Sequence, residues 1–360
     1  MAQDMPGETS GDANDDVLER LQTLVDDDDR KGPSIHRLAY AERLSAAYHE
    51  IEAAVTDVLD RPTWDDQTQE WVVARLRLIS LLTSHYARTG AHADQHREWG
   101  DRALELGGSA PAPYRAGLLL ALSEIERARG DRAATAQRLR SAAELVSDAT
   151  ANDALAQTTL AELRLRLGIL ATATGDREKA RREFETVLVV QPDPGTARAY
   201  AQMNLALLAS TEDRLEDAFD LESEAAETAY LAGDHDVNLW ARNNRACTLL
   251  QMGKIEGAYA AFLDLLPDVL WEIERQASST VAEDFATVLV GLRRHEDAAL
   301  ILGAVAAQRE ETAMPREPHQ ADALAPVEAD AREALGDRWP TLLDRGRELP
   351  VADAVRRVTG

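Results

Sequence analysis

Six residues recur at fixed distances ahead of short turns: Arg166, Tyr200, Asn204, Trp240, Asn244 and Asp284. Arg166, Asn204, Asn244 and Asp284 stand nine residues before Gly175, Asp213, Gly253 and Arg293, and Glu162, Tyr200, Trp240 and Thr280 stand thirteen before. The two sets lie four apart, so on a helix each pair shares one face. The chemistry open to them is recognition, not bond making. An asparagine carboxamide carries both donors and an acceptor, and can pair with a peptide group of any sequence. Arg166 can grip a carboxylate with two parallel bonds. Tyr200 and Trp240 supply apolar anchors. The competing reading is a solvated face whose aromatics pack between helices.

Other reactive residue types are sparse. His92 and His96 are four apart with Asp94 between them, a spacing at which two imidazoles can share a metal. The zinc-protease pattern needs Glu after the first His, and Ala93 stands there. No third ligand is evident, although His85 is near in sequence, so the pair is expected as exposed histidines on a polar helix face. His235 falls in Gly233-Asp234-His235-Asp236, a loop and helix cap. Cys247 is the single cysteine, which forbids an internal disulfide and reads as a buried thiol acting as a small hydrophobe. The chain has no G-x-x-x-x-G-K-[ST], G-x-S-x-G, G-x-G-x-x-G or C-x-x-C. Its carboxylates look like solvated faces with i, i+4 partners such as Glu178 and Arg182. No catalytic residue, metal or cofactor is therefore expected.

The elements that must position these residues are helices. Ile51, Val55, Val58 and Leu59 recur with helical spacing, as do Leu76, Ile79, Leu82 and Tyr86. The run Val187–Val190 could be a strand, but it continues the helical stretch Arg177–Phe184 and stops at Gln191-Pro192. Turns recur at Gly90, Gly130, Gly175, Asp213, Gly253 and Arg293, with spacings of 40, 45, 38, 40 and 40. Glycine tolerates the left-handed backbone at a helix end, and the Asp after Gly130 and Gly175 can cap the next helix. Seven residues before each turn stand Thr83, Ser123, Gly168, Ala206, Ala246 and Ala286, all small; nine after stand Trp99, Leu139, Phe184, Glu222, Phe262 and Leu302, nearly all large. Small facing large lets two antiparallel helices approach closely, and such a hairpin must stack on neighbours to bury its second face.

Composition agrees. Aromatics are only 5% of 360 residues, which suits close-packed helices better than sheets. The net charge of −25 repels phosphate backbones and anionic lipid, so neither direct nucleic-acid binding nor membrane docking is expected. MAQDMPGETS has no basic and apolar regions of a signal peptide, and no apolar run approaches about 20 residues, so a cytoplasmic chain is expected. Residues 1–33, with ten acidic and three basic side chains, read as an acidic disordered tail.

The segment from Ala161 to Pro192 resembles the tetratricopeptide repeat. It carries Leu167-Gly168, Ala171, Gly175, Ala180, Phe184, Val187 and Pro192 in the repeat's order, with Arg164 in place of the usual early tryptophan. The other units are degenerate, with a period nearer 40 than the repeat's 34. The resemblance implies a right-handed α-solenoid of about six tetratricopeptide-like hairpins with a C-terminal helical cap. The expected organisation is leading helices at 34–74, repeats at 75–312 and capping helices at 313–360. It also implies that the first helices line a concave groove holding a peptide or protein, with Asn204 and Asn244 at the place where peptide-binding members keep an asparagine. Pro267 is expected to end or kink the second helix of the fifth hairpin.

A second resemblance covers Ala298 to Val358, through Leu302-Gly303-Ala304, Arg309, Pro315, Leu335-Gly336, Trp339, Gly346-Arg347 and Val351-Ala352-Asp353-Ala354-Val355. It looks like the end of the helical sensor region of large bacterial LuxR-type and antibiotic-regulatory-type transcription regulators, without their nucleotide-binding and DNA-binding domains. This implies a regulatory module with a peptide or protein partner, or with a second copy of itself in a homodimer. The alternative is a small-molecule sensor or an accessory protein of a biosynthetic pathway.

Overall fold

The computed structural model describes residues 48–89, 92–147, 153–272, 275–312, 316 and 318–360. Among the described residues there are sixteen α-helices and no strand. The expected acidic tail and the turn at Gly90 lie outside them. The chain forms two compact units, Met1–Asn204 with Ala232–Asp234, and Leu205–Leu231 with His235–Gly360.

The first unit contains α1 (Tyr48–Leu59), α2 (Gln69–Thr89), α3 (Ala93–Leu106), α4 (Ala112–Ala128), α5 (Arg132–Val146), α6 (Ala154–Ala173), α7 (Arg177–Val190) and the start of α8 (Thr196–Thr211). Helices α2 and α3, α4 and α5, and α6 and α7 pair as hairpins, while α2, α4 and α6 also pack on one another in succession. The second unit contains the rest of α8, then α9 (Leu215–Leu231), α10 (His235–Gln251), α11 (Ile255–Glu272), α12 (Arg275–Gly291) and α13 (His295–Thr312). Here α10 pairs with α11 and α12 with α13, and α10 also touches α12. First helix on first helix is the stacking that a repeated hairpin requires.

One turn geometry recurs. The hairpin loops after α4, α6, α8, α10 and α12 are each three residues long. Their middle residues Gly130, Gly175, Asp213, Gly253 and Arg293 all have left-handed backbone, with φ of 77, 79, 61, 74 and 61°. Each turn closes with the same two bonds, for example Gly175 N–H to Thr172 O at 3.0 Å and Asp176 N–H to Ala171 O at 2.9 Å. This pairing satisfies carbonyls that a helix end leaves open. Asp131 and Asp176 then cap the next helix, accepting from Ala134 N–H at 2.9 Å and Lys179 N–H at 3.1 Å. Asp213 fills the glycine's place rather than the cap's. Arg214 follows it and pairs with Glu212 and Asp217.

The small and large positions pack as their spacing predicts. Thr83, Ser123, Gly168, Ala206, Ala246 and Ala286 are buried, and so are Trp99, Leu139, Phe184, Glu222, Phe262 and Leu302. A Cβ added at Gly168 would stand 2.4 Å from the Phe184 ring. Pro267 does not end its helix, because α11 runs through it to Glu272. The side of α11 around Pro267 is held by Leu265, Leu266 and Val269, all buried in the core of the second unit. That burial offsets the missing hydrogen bond.

Three helices, one long and two short, cover the last hairpin: α14 (Pro318–Leu335), α15 (Arg338–Arg347) and α16 (Val351–Thr359). Trp339, Leu342, Val351, Val355 and Val358 join the core formed by α12 and α13. Arg294 ties this end together, donating to Tyr259 Oη at 2.8 Å and to Val358 O at 2.7 Å. Beneath it, Glu283 accepts from Arg309 at 2.8 and 3.0 Å and from Arg316 at 2.7 Å, with Glu283 and Arg309 both buried. Among the described residues no helix is long and apolar enough to cross a membrane.

Two glycines of the first unit separate backbone propensity from packing. Gly168→Ala drives a methyl into the Phe184 ring and should lower stability by about 1–3 kcal/mol. Gly117 lies within α4 with nothing near its missing Cβ. Gly117→Ala should therefore raise stability by roughly 0.5–1 kcal/mol through helix propensity alone. Urea unfolding of both variants checks the opposite signs.

Candidate functional site

In the first unit, α6 carries Arg166 and the start of α8 carries Tyr200 and Asn204. Arg166 is not a free cation: its guanidinium lies 3.4 Å from Glu124 Oε1 and 3.7 Å from Glu162 Oε2. A ligand carboxylate would have to compete with both. Asn204 is half-buried and its Nδ2 donates to Tyr200 O at 2.8 Å, one turn back in its own helix. That bond uses one donor and leaves the amide oxygen for a partner. Tyr200 keeps 36% of its surface exposed, high for a tyrosine on a packed helix.

In the second unit, α10 carries Trp240 and Asn244, and α12 carries Asp284. Trp240 and Asn244 are both half-buried. Asn244 makes no hydrogen bond among the described residues, so its donors and its acceptor are all unspent. Its neighbour Asn243 is buried and points the other way, donating from Nδ2 to Asp284 Oδ2 at 2.9 Å and so joining α10 to α12. Burial pushes the Asp284 carboxyl up to about 6, against the bonds it accepts from Asn243 and from the Cys247 thiol. Asp284 is thus anchored inward. Of this unit's three candidates, Trp240 and Asn244 are the two whose side chains make no hydrogen bond among the described residues.

One polar residue inside this unit escaped the spacing argument. Glu222 on α9 occupies the position that Leu139, Phe184 and Phe262 hold in other hairpins, and it is only 5% exposed. Arg245 on α10 likewise stands eight residues before its turn, where Leu122 and Phe285 are fully buried. Glu222 Oε1 accepts from Thr248 Oγ1 at 3.0 Å, while Oε2 is buried with no partner among the described residues. Burial pushes this carboxyl up to about 7, opposed by the Thr248 bond and the charge of Arg245. A glutamate in a column of large apolar residues was the sequence signal that marks it.

The remaining candidates resolve as structure. His96 is fully buried, contrary to its expected exposure, because it shares the inward face of α3 with Trp99, Gly100 and Ala103. Its ring meets Trp99 edge to face at 4.9 Å. His92 is exposed and sits at the N-cap of α3 with φ of 53°. Cys247 has its thiol pushed well above the usual range by burial and by Asp284, which makes it a poor nucleophile. Among the described residues no group of three His, Cys, Asp or Glu is arranged to hold a metal.

These helices define an all-α protein of stacked tetratricopeptide-like hairpins. No protein-family model matches the chain, and no curated protein matches it at a significant level. Solved structures similar to it include BtubC (BKLC) from P. vanneervenii, at 16% identity over 70% of this chain and 95% of that one, with a TM-score of 0.49. A tetratricopeptide repeat protein from Parabacteroides merdae shares 16% identity over 75% of this chain and 98% of that one, with a TM-score of 0.41. The apo quorum sensor NprR from B. thuringiensis shares 12% identity over 96% and 99%, with a TM-score of 0.36. At such identities and scores the assignment of fold rests on the recurring hairpins themselves.

The buried glutamate gives a pH signature. Its folded value of about 7 exceeds the ordinary 4.5, so the folded chain takes up a proton that the unfolded chain does not. The cost of burying the charge is absent below the lower value, grows across the window and is fully present above the upper one. Glu222→Gln should therefore stabilise by about 1–3 kcal/mol near pH 8 and by almost nothing near pH 4. Urea unfolding at the two pH values reads the difference, and a larger gain in acid would contradict the assignment.

Proposed function

We propose that the protein is a non-catalytic binding module that recognises an extended peptide or a protein segment on the polar and aromatic faces of its first helices. The observation that carries the reading is Asn244. A half-buried carboxamide whose side chain makes no hydrogen bond among the described residues, one helical turn from the half-buried ring of Trp240, offers a peptide group both a donor and an acceptor beside an apolar anchor. Asn204 and Tyr200 repeat the same pairing on α8, with Tyr200 more exposed and Asn204 partly committed. Arg166 in the first unit and Asp284 in the second stand at the same spacing before their turns, but each is held by neighbouring side chains. Their role is to fix the shape of the face, and any ligand contact they make comes by exchange. The C-terminal resemblance to the sensor regions of bacterial transcription regulators supports reading this recognition as part of regulation or signalling.

Capture from lysate on the immobilised chain tests the face. Asn244→Ala should weaken retention of the captured partner roughly tenfold, and Trp240→Ala at least as much, as expected of hot-spot truncations. Melting temperatures of the Asn244 variant should stay within about 3 °C of the parent, since the residue supports no internal bond. Retention unchanged in both variants would remove α10 from the binding surface.

A further inference from the structure

Trp240 and Asn244 stand on a band of side chains that crosses three helices of the second unit. Between Leu205 and Ala209 of α8, Leu207 alone is open, with 54% of its surface exposed. Between Ser279 and Val290 of α12, only Thr280, Asp284 and Thr287 escape burial. These three recur at intervals of four and three residues, which is one stripe of a helix packed on its other sides. Helix α10 has two open sides, and its contacts tell them apart. Asn238 donates to Ala226 O of α9 at 2.8 Å, and Arg242 pairs with Asp264 and Asp268 of α11, so that side faces the second helices. Trp240, Asn244, Cys247 and Gln251 form the other stripe. Bonds between side chains hold the three stripes edge to edge. Ser210 Oγ of α8 donates to Gln251 Oε1 at 3.0 Å, and Asp284 of α12 accepts from Asn243 at 2.9 Å and from the Cys247 thiol.

Charge is what the band lacks. Charged residues make up 29% of the chain, yet of the side chains on the band only Asp284 can ionise near neutral pH, and two neighbouring donors hold it. Arg309 comes within 3.5 Å of Thr280 Oγ1, but it is 7% exposed and is committed to Glu283. Charges resume at the helix ends, with Asp236 one turn ahead of Trp240 and with Lys254 and Arg293 in the turns. The first unit differs at the same spacing, where Arg166 pairs with Glu162 and Glu124. A charged side chain laid on the second unit's band would lose water and find no opposite charge. A peptide group can meet the Asn244 carboxamide there, and an apolar side chain can meet Leu207 or the Trp240 ring.

We propose that this band binds an uncharged stretch of an extended peptide, with an apolar side chain on Leu207 and a peptide group on Asn244. Such a preference rests on peptide recognition by α10, and it adds Leu207 as a contact and the kind of segment taken. A printed array of random decapeptides, probed with the labelled full chain and with its Asn244→Ala variant, tests it. Cationic peptides that adhere to the acidic surface at large keep their signal in the variant and drop out of the comparison. Peptides whose signal falls in the variant should contain Asp, Glu, Lys and Arg at least roughly threefold less often than the array as a whole, because burying an unpaired charge is costly. The strongest of them, measured by fluorescence anisotropy, should lose less than about twofold in affinity between about 0.05 and 0.5 M sodium chloride. Leu207→Ser should weaken it roughly tenfold with the thermal melt unchanged, since the side chain is exposed. Charged peptides prevailing among those that depend on Asn244, a steep loss of affinity with salt, or full affinity in Leu207→Ser would each overturn the proposal and leave peptide recognition standing. An array with no peptide that depends on Asn244 would remove both.

Discussion

Two antiparallel helices joined by only three residues are forced close together, and something must yield where their side chains meet. Here the first helix presents a small residue seven positions before the turn, and the second presents a large one nine positions after. Gly168 and Phe184 show the limit of this arrangement, since even one methyl on the glycine would collide with the ring. Close approach allows each hairpin to pack tightly, and tight packing leaves its outer face in need of a neighbour. The repeated stacking of α2, α4 and α6 follows from that need, as does the cover that α14 to α16 provide over the last hairpin. The proposed recognition residues then have a place to stand. Trp240 and Asn244 can face outward because other residues of the same helix already satisfy the core.

The second unit departs from this rule at Glu222 and Arg245, where two large apolar positions carry charged side chains. A buried acid in such a column is held by one hydroxyl bond and a nearby guanidinium, not by hydrophobic filling. Asn243, Asp284 and the Cys247 thiol extend the polar contacts across α10 to α12. Thr248 of this seam stands one helical turn beyond Asn244, so the seam borders the face that carries it. The same helix therefore carries amide chemistry next to a set of titrating groups.

Much of the fold was legible in the sequence because it depends on local chemistry. Five of the turn positions marked in the sequence share one backbone geometry, and two of them, Asp213 and Arg293, adopt it without glycine. The small and large columns also followed from counting. What counting missed depends on which way a side chain points. The spacing of His92 and His96 suggests an exposed pair, but α3 turns His96 onto Trp99. Pro267 does not end its helix, since buried neighbours carry α11 through it to Glu272. Arg166 and Asp284 belong to the stripe by spacing, while their ion pair and hydrogen bond involve Glu124 and Asn243, partners that are distant in sequence or outside the stripe. The band across α8, α10 and α12 draws on three helices at once, and no periodicity within one segment announces the bond from Ser210 to Gln251 that joins two of them.

The uniformity of the hairpin turns fixes where this chain can tolerate changes in length. Each of the five loops after α4, α6, α8, α10 and α12 spends its three residues on one left-handed step and two carbonyl bonds, so an insertion there has no slack to occupy. The spacing between successive turns nonetheless ranges from 38 to 45 residues. That variation falls in helix lengths and in the connections between hairpins, such as the stretch from Gln191 to Gly195. Evolutionary drift in size is thereby channelled to one set of joints, while the other set holds a common gauge.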